Sequence, residues 1–270
     1  MSARQVIIAG VTVVLIVFFL LPVYHVATMS LKTQRETFAS PPVWLFRPTP
    51  EHYQGLLAGN FPRFLLNSLV VSGANVALSL MLGAPAAYAL ARAKVRGQRF
   101  ILFAILATRM MPPISLALPV FVVFLNTGLL DTRLGLILVF LSFNLPLTVW
   151  LLYGFFSEVP DELLDAARID GASVLTAFAR IAIPYVSSGI VATTILMWIY
   201  AWNEFTFTLI LTRREAITAT VALGQLFTFE TVAWGRIAAG GTLTMLPIML
   251  LAVIGRRYFV RGLTGGAVND

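Results

Sequence analysis

The feature that most constrains this chain is a series of six long stretches almost free of Asp, Glu, Lys and Arg. They run from Gln5 to Leu31, Phe64 to Ala91, Phe100 to Leu130, Leu134 to Ser157, Ile181 to Thr212 and Ile237 to Gly255. Arg109 interrupts the third and Glu204 the fifth. A helix rises about 1.5 Å per residue, so about 20 apolar residues cross about 30 Å of hydrocarbon. In that medium every backbone N–H and C=O must be satisfied within the protein, which selects helices for such runs. The expectation is an all-α integral membrane protein with six transmembrane helices, near residues 6–30, 64–91, 100–126, 134–157, 182–211 and 237–256. Together they make one transmembrane domain over residues 1–270. Composition supports this: 59% of the residues are hydrophobic and 11% charged, against about 25% charged in a soluble domain.

The same figures exclude other classes. So apolar a chain is not disordered, and without Cys it has no disulfide framework and no thiolate chemistry. The formal charge of +7 does not indicate nucleic acid, because the basic residues sit between apolar runs, where membrane topology places them. The first run is longer than the apolar core of a signal peptide and no A-x-A site follows it, so an uncleaved anchor is expected.

Six spans put both termini on one side. The Arg92–Arg99 loop holds four basic residues and no acid, which assigns it, and both termini, to the cytoplasm. The tail beginning Arg256-Arg257 agrees. Two long segments then face outward, Lys32–Arg63 and Arg213–Arg236. The first carries Pro41, Pro42, Pro48 and Pro50 with Trp44 and Phe46, an irregular surface composition. Either segment could hold a periplasmic partner or simply cap the bundle. Ala216–Phe229 is uncharged but short, and reads as interfacial or re-entrant.

One cytoplasmic segment, residues 158–183, goes against the basic trend. It carries Glu158, Asp161, Glu162, Asp165 and Asp170 against Arg168 and Arg180. Pro160 can open a helix, and Asp161 and Glu162 suit its positive N-terminal end. Leu163, Leu164, Ala167 and Ile169 offer a small apolar face. Gly171 permits the left-handed residue that ends a helix, and a second helix from Ser173 to about Ile183 returns to the membrane near Pro184. A short helix, a turn and a second helix lying across the membrane face suit docking into a groove on a soluble partner.

These residues carry a resemblance. Asp165-Ala-Ala, Asp170-Gly-Ala and Ile181-Ala-Ile-Pro184 resemble the EAA loop of permease subunits of bacterial ATP-binding-cassette importers, with Asp165 in place of the usual Glu. Leu21-Pro22-Val23-Tyr24, Ser30-Leu31-Lys32, Asn67-Ser68-Leu69, Ala87-Tyr88-Ala89-Leu90-Ala91-Arg92, Ala201-Trp202-Asn203-Glu204 and the tail Arg261–Val268 are similar to the sugar-permease branch. The likeness covers nearly the whole chain and is nearest the smaller permease of maltose-type systems. Phe38–Pro42, Arg109–Pro113 and Gly128–Arg133 look most like permeases for sugar alcohols.

The resemblance implies the type I importer permease fold and a coupling helix that fits a cleft in an ATPase subunit. Glu162, Asp165, Ala166, Ala167, Asp170, Gly171 and Ala172 are the residues it assigns to that contact. It also implies a second homologous permease, two ATPase protomers that bind ATP and Mg, and a periplasmic or lipoprotein substrate-binding protein. The chain has no G-x-x-x-x-G-K-[ST] loop of its own, so no cofactor and no catalytic residue are expected in it.

Pathway candidates are polar groups deep in the spans. Glu204 and Asn203 could contact solute or a gate, or serve structural pairing and solvation at the outer end of the fifth span. Arg109 precedes Pro112-Pro113, which must break or kink the third span. It could pair with Glu204, snorkel or bind a carbonyl. Asn67, Asn75, Asn126 and Asn144 can bond across helices, and Asn67 and Asn144 could also line the pathway. His25 is expected to be packed. The alternative function, an ion-gradient-driven secondary transporter, would need carboxylate carriers within the membrane, and only Glu204 qualifies. A membrane enzyme would need a nucleophile–base pair or metal cluster, and His25 and His52 have no such neighbours in sequence.

Overall fold

The computed structural model describes residues 3–93, 96–226 and 233–264, with side chains over 4–93, 96–226 and 233–255. Lys94 and the tail motif from Arg256 onward lie outside the described side chains. Two compact units are distinguished: residues 1–65 with 221–247, and residues 66–220 with 248–270.

In the first unit, α1 (Ala3–Met29) is apolar on all sides and exposed from Arg4 to His25. Only a bilayer or another membrane helix can cover such a surface. His25 is therefore exposed rather than packed; with Tyr24, Lys32, Trp44 and Phe46 it lines a small cavity. The following turn, α2 (Gln34–Thr37), starts on a capping box. The Glu36 N–H donates to Thr33 Oγ1 and the Thr33 N–H to Glu36 Oε2. The Thr33 hydroxyl, which donates to Glu36 Oε2 at 2.7 Å, and the Thr33 N–H, with Lys32 nearby, hold the Glu36 carboxyl below its ordinary pKa. His52 of α3 (Glu51–Leu57) is buried, with Nε2 2.9 Å from the Lys32 carbonyl.

A long helix, α4 (Phe61–Arg92), continues from the first unit into the second. There α5 (Gln98–Ala107), a 3₁₀ turn at Thr108–Met110 and α6 (Pro113–Thr127) form the third hydrophobic segment. This segment is bent by 84° at the break before Pro113. The prolines that the sequence singled out therefore break the span rather than merely kinking it. A helix with Pro146 inside it, α7 (Arg133–Ser157), follows, and then α8 (Asp161–Ile169).

The chain returns through α9 (Val174–Ala177), a π-helical turn at Phe178–Ala182, α10 (Ile183–Tyr185) and α11 (Ser187–Trp202). This pair is bent by 77° at Val186. Three further helices are α12 (Thr206–Leu211), α13 (Ala219–Gln225) and α14 (Trp234–Thr264). Among the described residues, four helices are long and apolar enough to cross a bilayer singly, and counting each bent pair as one span brings the total to six. The expected fifth span, 182–211, is not one helix: it is broken at Val186 and again between Trp202 and Thr206.

Packing in the second unit is of two kinds. Phe156, Leu152, Val149, Tyr88 and Ala84 are buried with Leu164, Phe178 and Ala182, joining α4 and α7 to α8 and the π turn. Tyr88, Phe156 and Phe178 form an aromatic triangle with ring centroids 5.0–5.9 Å apart. Elsewhere Val71, Phe124, Leu136, Phe140, Phe207 and Leu211 join α4, α6, α7 and α12. Gly83 lets α4 and α7 touch, since a Cβ there would lie 2.7 Å from Thr148 Cγ2.

Lipid tails are as apolar as leucine, so polar contacts also hold helices together here. Asn144 donates to Asn75 Oδ1 at 2.7 Å and to the Met197 carbonyl at 3.3 Å, and Asn75 donates to the Ile137 carbonyl. Each bond of this kind contributes about 0.6 kcal/mol. Asn67, Asn75 and Asn144 thus bond between segments, whereas Asn126 is exposed.

Candidate functional site

Residues 158–183 fold as the sequence suggests, with one correction. Asp161 and Glu162 occupy the first turn of α8 and Arg168 its last, so both ends suit the helix dipole. The helix ends in a Schellman motif: the Ala172 N–H donates to the Ala167 carbonyl and the Gly171 N–H to that of Arg168. Gly171 sits at φ +83°, a conformation a side chain rarely adopts. Ser173 caps α9, accepting from the Thr176 N–H at 3.2 Å.

Burial divides the segment. Leu164 packs in the aromatic core, and Ala167 is buried as well. The correction is that Leu163 and Ile169 do not join them. Ile169 is 87% exposed, and Leu163, Val174 and Leu175 are exposed as well. Helical geometry explains it: positions three apart share a face, and Leu164 and Ala167 occupy the inner one. Glu162, Asp165, Ala166, Asp170 and Gly171 are exposed beside these apolar side chains, and Ala172 is half-buried. The pair Asp165–Arg168, at 2.9 Å, is exposed on both sides and adds little stability. Ala167 is buried and seats the helix. What results is an outward face of mixed acid and hydrocarbon on a firmly packed base.

Sequence reasoning counted Arg92 as a loop charge and as the end of the Ala87–Arg92 motif, without assigning it a partner. Its guanidinium donates to Asp161 Oδ1 at 2.7 Å and to the carbonyls of Phe156 and Val159, both at 2.6 Å. The last two belong to the end of α7 and the turn after it, where free carbonyls collect. An arginine ending one helix beside a loop was the available signal for such a cap.

The pathway candidates separate into three places. A cavity of about 160 Å³ lies by the break before Pro113 and the break between Trp202 and Thr206, lined by Arg109, Asn144, Tyr200 and Glu204 among aromatic residues. Arg109 does not pair with Glu204 in this structure: its guanidinium lies over the Tyr200 ring, 4.6 Å from the centroid. One of its terminal nitrogens is buried with no hydrogen-bond partner among the described residues. The Glu204 carboxylate accepts from the N–H groups of Phe207 and Thr208 at 2.9 and 3.1 Å and from the Thr208 hydroxyl. It thereby caps α12, whose first N–H groups would otherwise be open. Asn203 is exposed and donates to the Ile199 carbonyl, closing the end of α11. Asn67 does not line the cavity. It donates to the carbonyls of Glu215 and Ile217 and accepts from Arg133 Nε.

Asn67 belongs to a knot at the start of α7 that sequence reasoning missed. Asp131, at φ +56°, accepts from the backbone N–H groups of Arg213, Arg214, Glu215 and Ala216 at 3.0–3.1 Å. Partial burial raises the Asp131 pKa, but the four N–H groups outweigh it and hold the carboxyl below its ordinary range. Ala216, Ile217 and Ala219 are buried, so this part of the outer segment is packed into protein rather than lying free at an interface.

The comparisons agree with this architecture. Residues 79–265 match the family described as Binding-protein-dependent transport system inner membrane component. The trehalose transport system permease protein SugB of Mycobacterium tuberculosis is 38% identical over the whole of both chains. A probable ABC transporter permease protein, y4oR, of Sinorhizobium fredii is 36% identical over 95% of this chain and 92% of its own. The trehalose/maltose transport system permease protein MalG of Thermococcus litoralis is 31% identical over 86% of each. Among solved structures, a chain of a bacterial ABC transporter that imports the acidic polysaccharide alginate superposes with a TM-score of 0.79. Its identity is 24%, covering 96% of this chain and 99% of that one.

Proposed function

The chain belongs to the inner-membrane-component family of binding-protein-dependent transport systems, and from that premise we propose that it forms half of the translocation pathway of a sugar or polyol importer. It is a multi-pass membrane permease with the type I importer fold, and ATP is hydrolysed by a separate ATPase subunit. The transport is carbohydrate transport, as in the relatives for trehalose and maltose. An ion-gradient-driven transporter is set aside by that membership.

The finer assignments are ours. The 1–270 chain is one permease domain with both termini in the cytoplasm. Its partners are a second homologous permease, two ATPase protomers holding ATP and Mg, and a periplasmic or lipoprotein binding protein. The acidic helix α8 is the part the ATPase grips, through Glu162, Asp165, Ala166, Asp170 and the exposed Leu163 and Ile169. Closure of the ATPase dimer moves α8, and the bundle alternates between inward and outward access. In the membrane, the cavity at the span breaks supplies this chain's polar contact. Arg109 and Asn144 line a space that a sugar hydroxyl can enter, with Tyr200 beside them as an aromatic wall.

One observation carries the reading: an acidic, outward-facing helix stands on a packed aromatic core within an otherwise basic loop set. The test is copurification in mild detergent after photo-crosslinking from Asp165→Cys, the only cysteine such a variant would contain. The expected product is an adduct with an ATPase subunit. A purified assembly without any ATPase would end the proposal.

A further inference from the structure

The Arg92 guanidinium joins three helix ends. It terminates α4, and it binds the Phe156 carbonyl at the end of α7, the Val159 carbonyl in the turn after it and the first carboxylate of α8. Its side chain is 16% exposed, against 70% for Asp161. The cation is thus fixed inside while its carboxylate partner stands at the surface, on the helix that the proposed function assigns to the ATPase. Close by, Gln98 Nε2 donates to the Leu90 carbonyl at 2.5 Å and to the Tyr153 hydroxyl at 3.1 Å. Tyr88, one turn before Arg92, lies in the aromatic triangle with Phe156 and Phe178.

We propose that Arg92 is a positioning residue that makes α8 and the adjoining end of α4 move as one body, so that displacement of α8 reaches α4 directly. The physical reason is the difference between packing and directed bonds. Apolar contacts beneath α8 resist separation but permit sliding, because dispersion has little directionality. A planar guanidinium with three short, charge-assisted or carbonyl contacts fixes orientation as well as distance. Without it, α8 would still be held by Leu164 and Ala167, yet a pull on α8 would tilt it in its seat before α4 moved. Lysine would keep the charge but not the fork, so it replaces at most part of the contact.

This inference rests on the importer reading, and the experiment separates the two. The complete complex is assembled with this chain carrying nitroxide labels at Ala89→Cys on α4 and Ile169→Cys on α8; both positions are exposed and the native chain has no cysteine. Distances are measured without nucleotide and with ATP trapped, and ATP hydrolysis and trehalose uptake are measured on unlabelled Arg92 variants in proteoliposomes. The expected parent result is one α4–α8 distance in both states. Arg92→Ala should shift and broaden that distance when ATP is bound. Trehalose taken up per ATP hydrolysed should fall about tenfold, the effect of one strong directed contact. Arg92→Lys should fall between, and Asp161→Asn, which leaves both carbonyl bonds, should lie closer to the parent.

A parent distance that itself changes with ATP would overturn the inference, as would an Arg92→Ala complex whose distances match the parent's. Uptake and hydrolysis falling by the same factor would make Arg92 a stability residue and nothing more. Should Arg92→Ala fail to assemble, Arg92→Lys distances identical to the parent's would overturn it equally. Absence of any ATPase from the native complex is a different result: it would remove the importer reading and, with it, this inference.

Discussion

The two ends of α7 are fastened by opposite charges. At its start, the Asp131 carboxylate gathers backbone N–H groups from residues 213–216, and Thr132 caps the helix by accepting from the Gly135 N–H. At its far end, the Arg92 cation gathers carbonyls and a carboxylate. At the far end the choice follows from the carbonyls that a helix leaves open at its end; at the start the N–H groups come instead from the bend at residues 213–216, between α12 and α13. The ends differ in what they leave outside. Around Asp131, Ala216 and Ile217 are turned inward and the knot closes on the chain itself. Around Arg92, Asp161 and the apolar residues of α8 remain open to a partner. One end is finished within this chain, and the other is a mount.

The comparison breaks most severely if the mount loses its core. Phe156, in the last turn of α7, is fully buried against Tyr88 and Phe178. Phe156→Ala should lower stability by about 3–5 kcal/mol, read as earlier thermal unfolding in detergent. Proteolysis should then appear in 158–183 before 128–132, because the Asp131 knot is untouched. Simultaneous cleavage at both ends would show that they are not independently held.

Gly171→Val should have the next largest effect. A branched side chain at φ +83° costs about 2 kcal/mol and disfavours the Schellman turn. Nothing lies within 4 Å of a Cβ placed there, so the penalty is conformational, and the α8 face changes while the core beneath it stays. The expected outcome is normal membrane insertion with loss of ATPase copurification or of hydrolysis coupled to uptake. Normal uptake in this variant would detach the α8 face from coupling.

The mount was legible in sequence and the knot was not, for a physical reason. Pro160, two acids, a small apolar set and Gly171 lie within a dozen residues, so local rules fix the helix and its stop. They do not fix which side is buried, and Leu163 and Ile169 were misplaced because the facing core comes from α4 and the π turn. Asp131 reaches a segment 82 or more residues away, and nothing local marks it. Arg109 and Glu204 were legible as charges in apolar runs. Their partners were not, since both sit at helix breaks where the nearest groups are a ring face and open N–H groups rather than each other.

Glu204 extends the comparison to α12, which it begins and Asp131 follows: the Asp131 N–H donates to the Leu211 carbonyl at 2.8 Å. Glu204→Gln keeps one acceptor oxygen and loses the charge at the helix start, so about 1 kcal/mol of local stability should go. If the carboxylate serves only this cap, uptake of the transported solute should keep its KM while thermal stability drops slightly. If the cavity contact to solute includes it, KM should rise. Unchanged stability together with unchanged uptake would remove both roles.

The smallest effect, absent at neutral pH, concerns acid. The Asp131 pKa is lowered in the native state, so the unfolded chain binds this proton more readily, with a pKa of about 3.9. Its contribution is therefore complete above that value and is lost as pH falls through the lower native one. Amides of residues 213–216 should exchange faster on acidification than those of Asp131→Asn do over the same range, because the asparagine has no proton left to gain. The α8 end should loosen less, since two of the three Arg92 acceptors are carbonyls that do not titrate. Equal acid sensitivity in the parent and in Asp131→Asn would show that the N–H cradle, and not the carboxylate's charge, holds the start of α7.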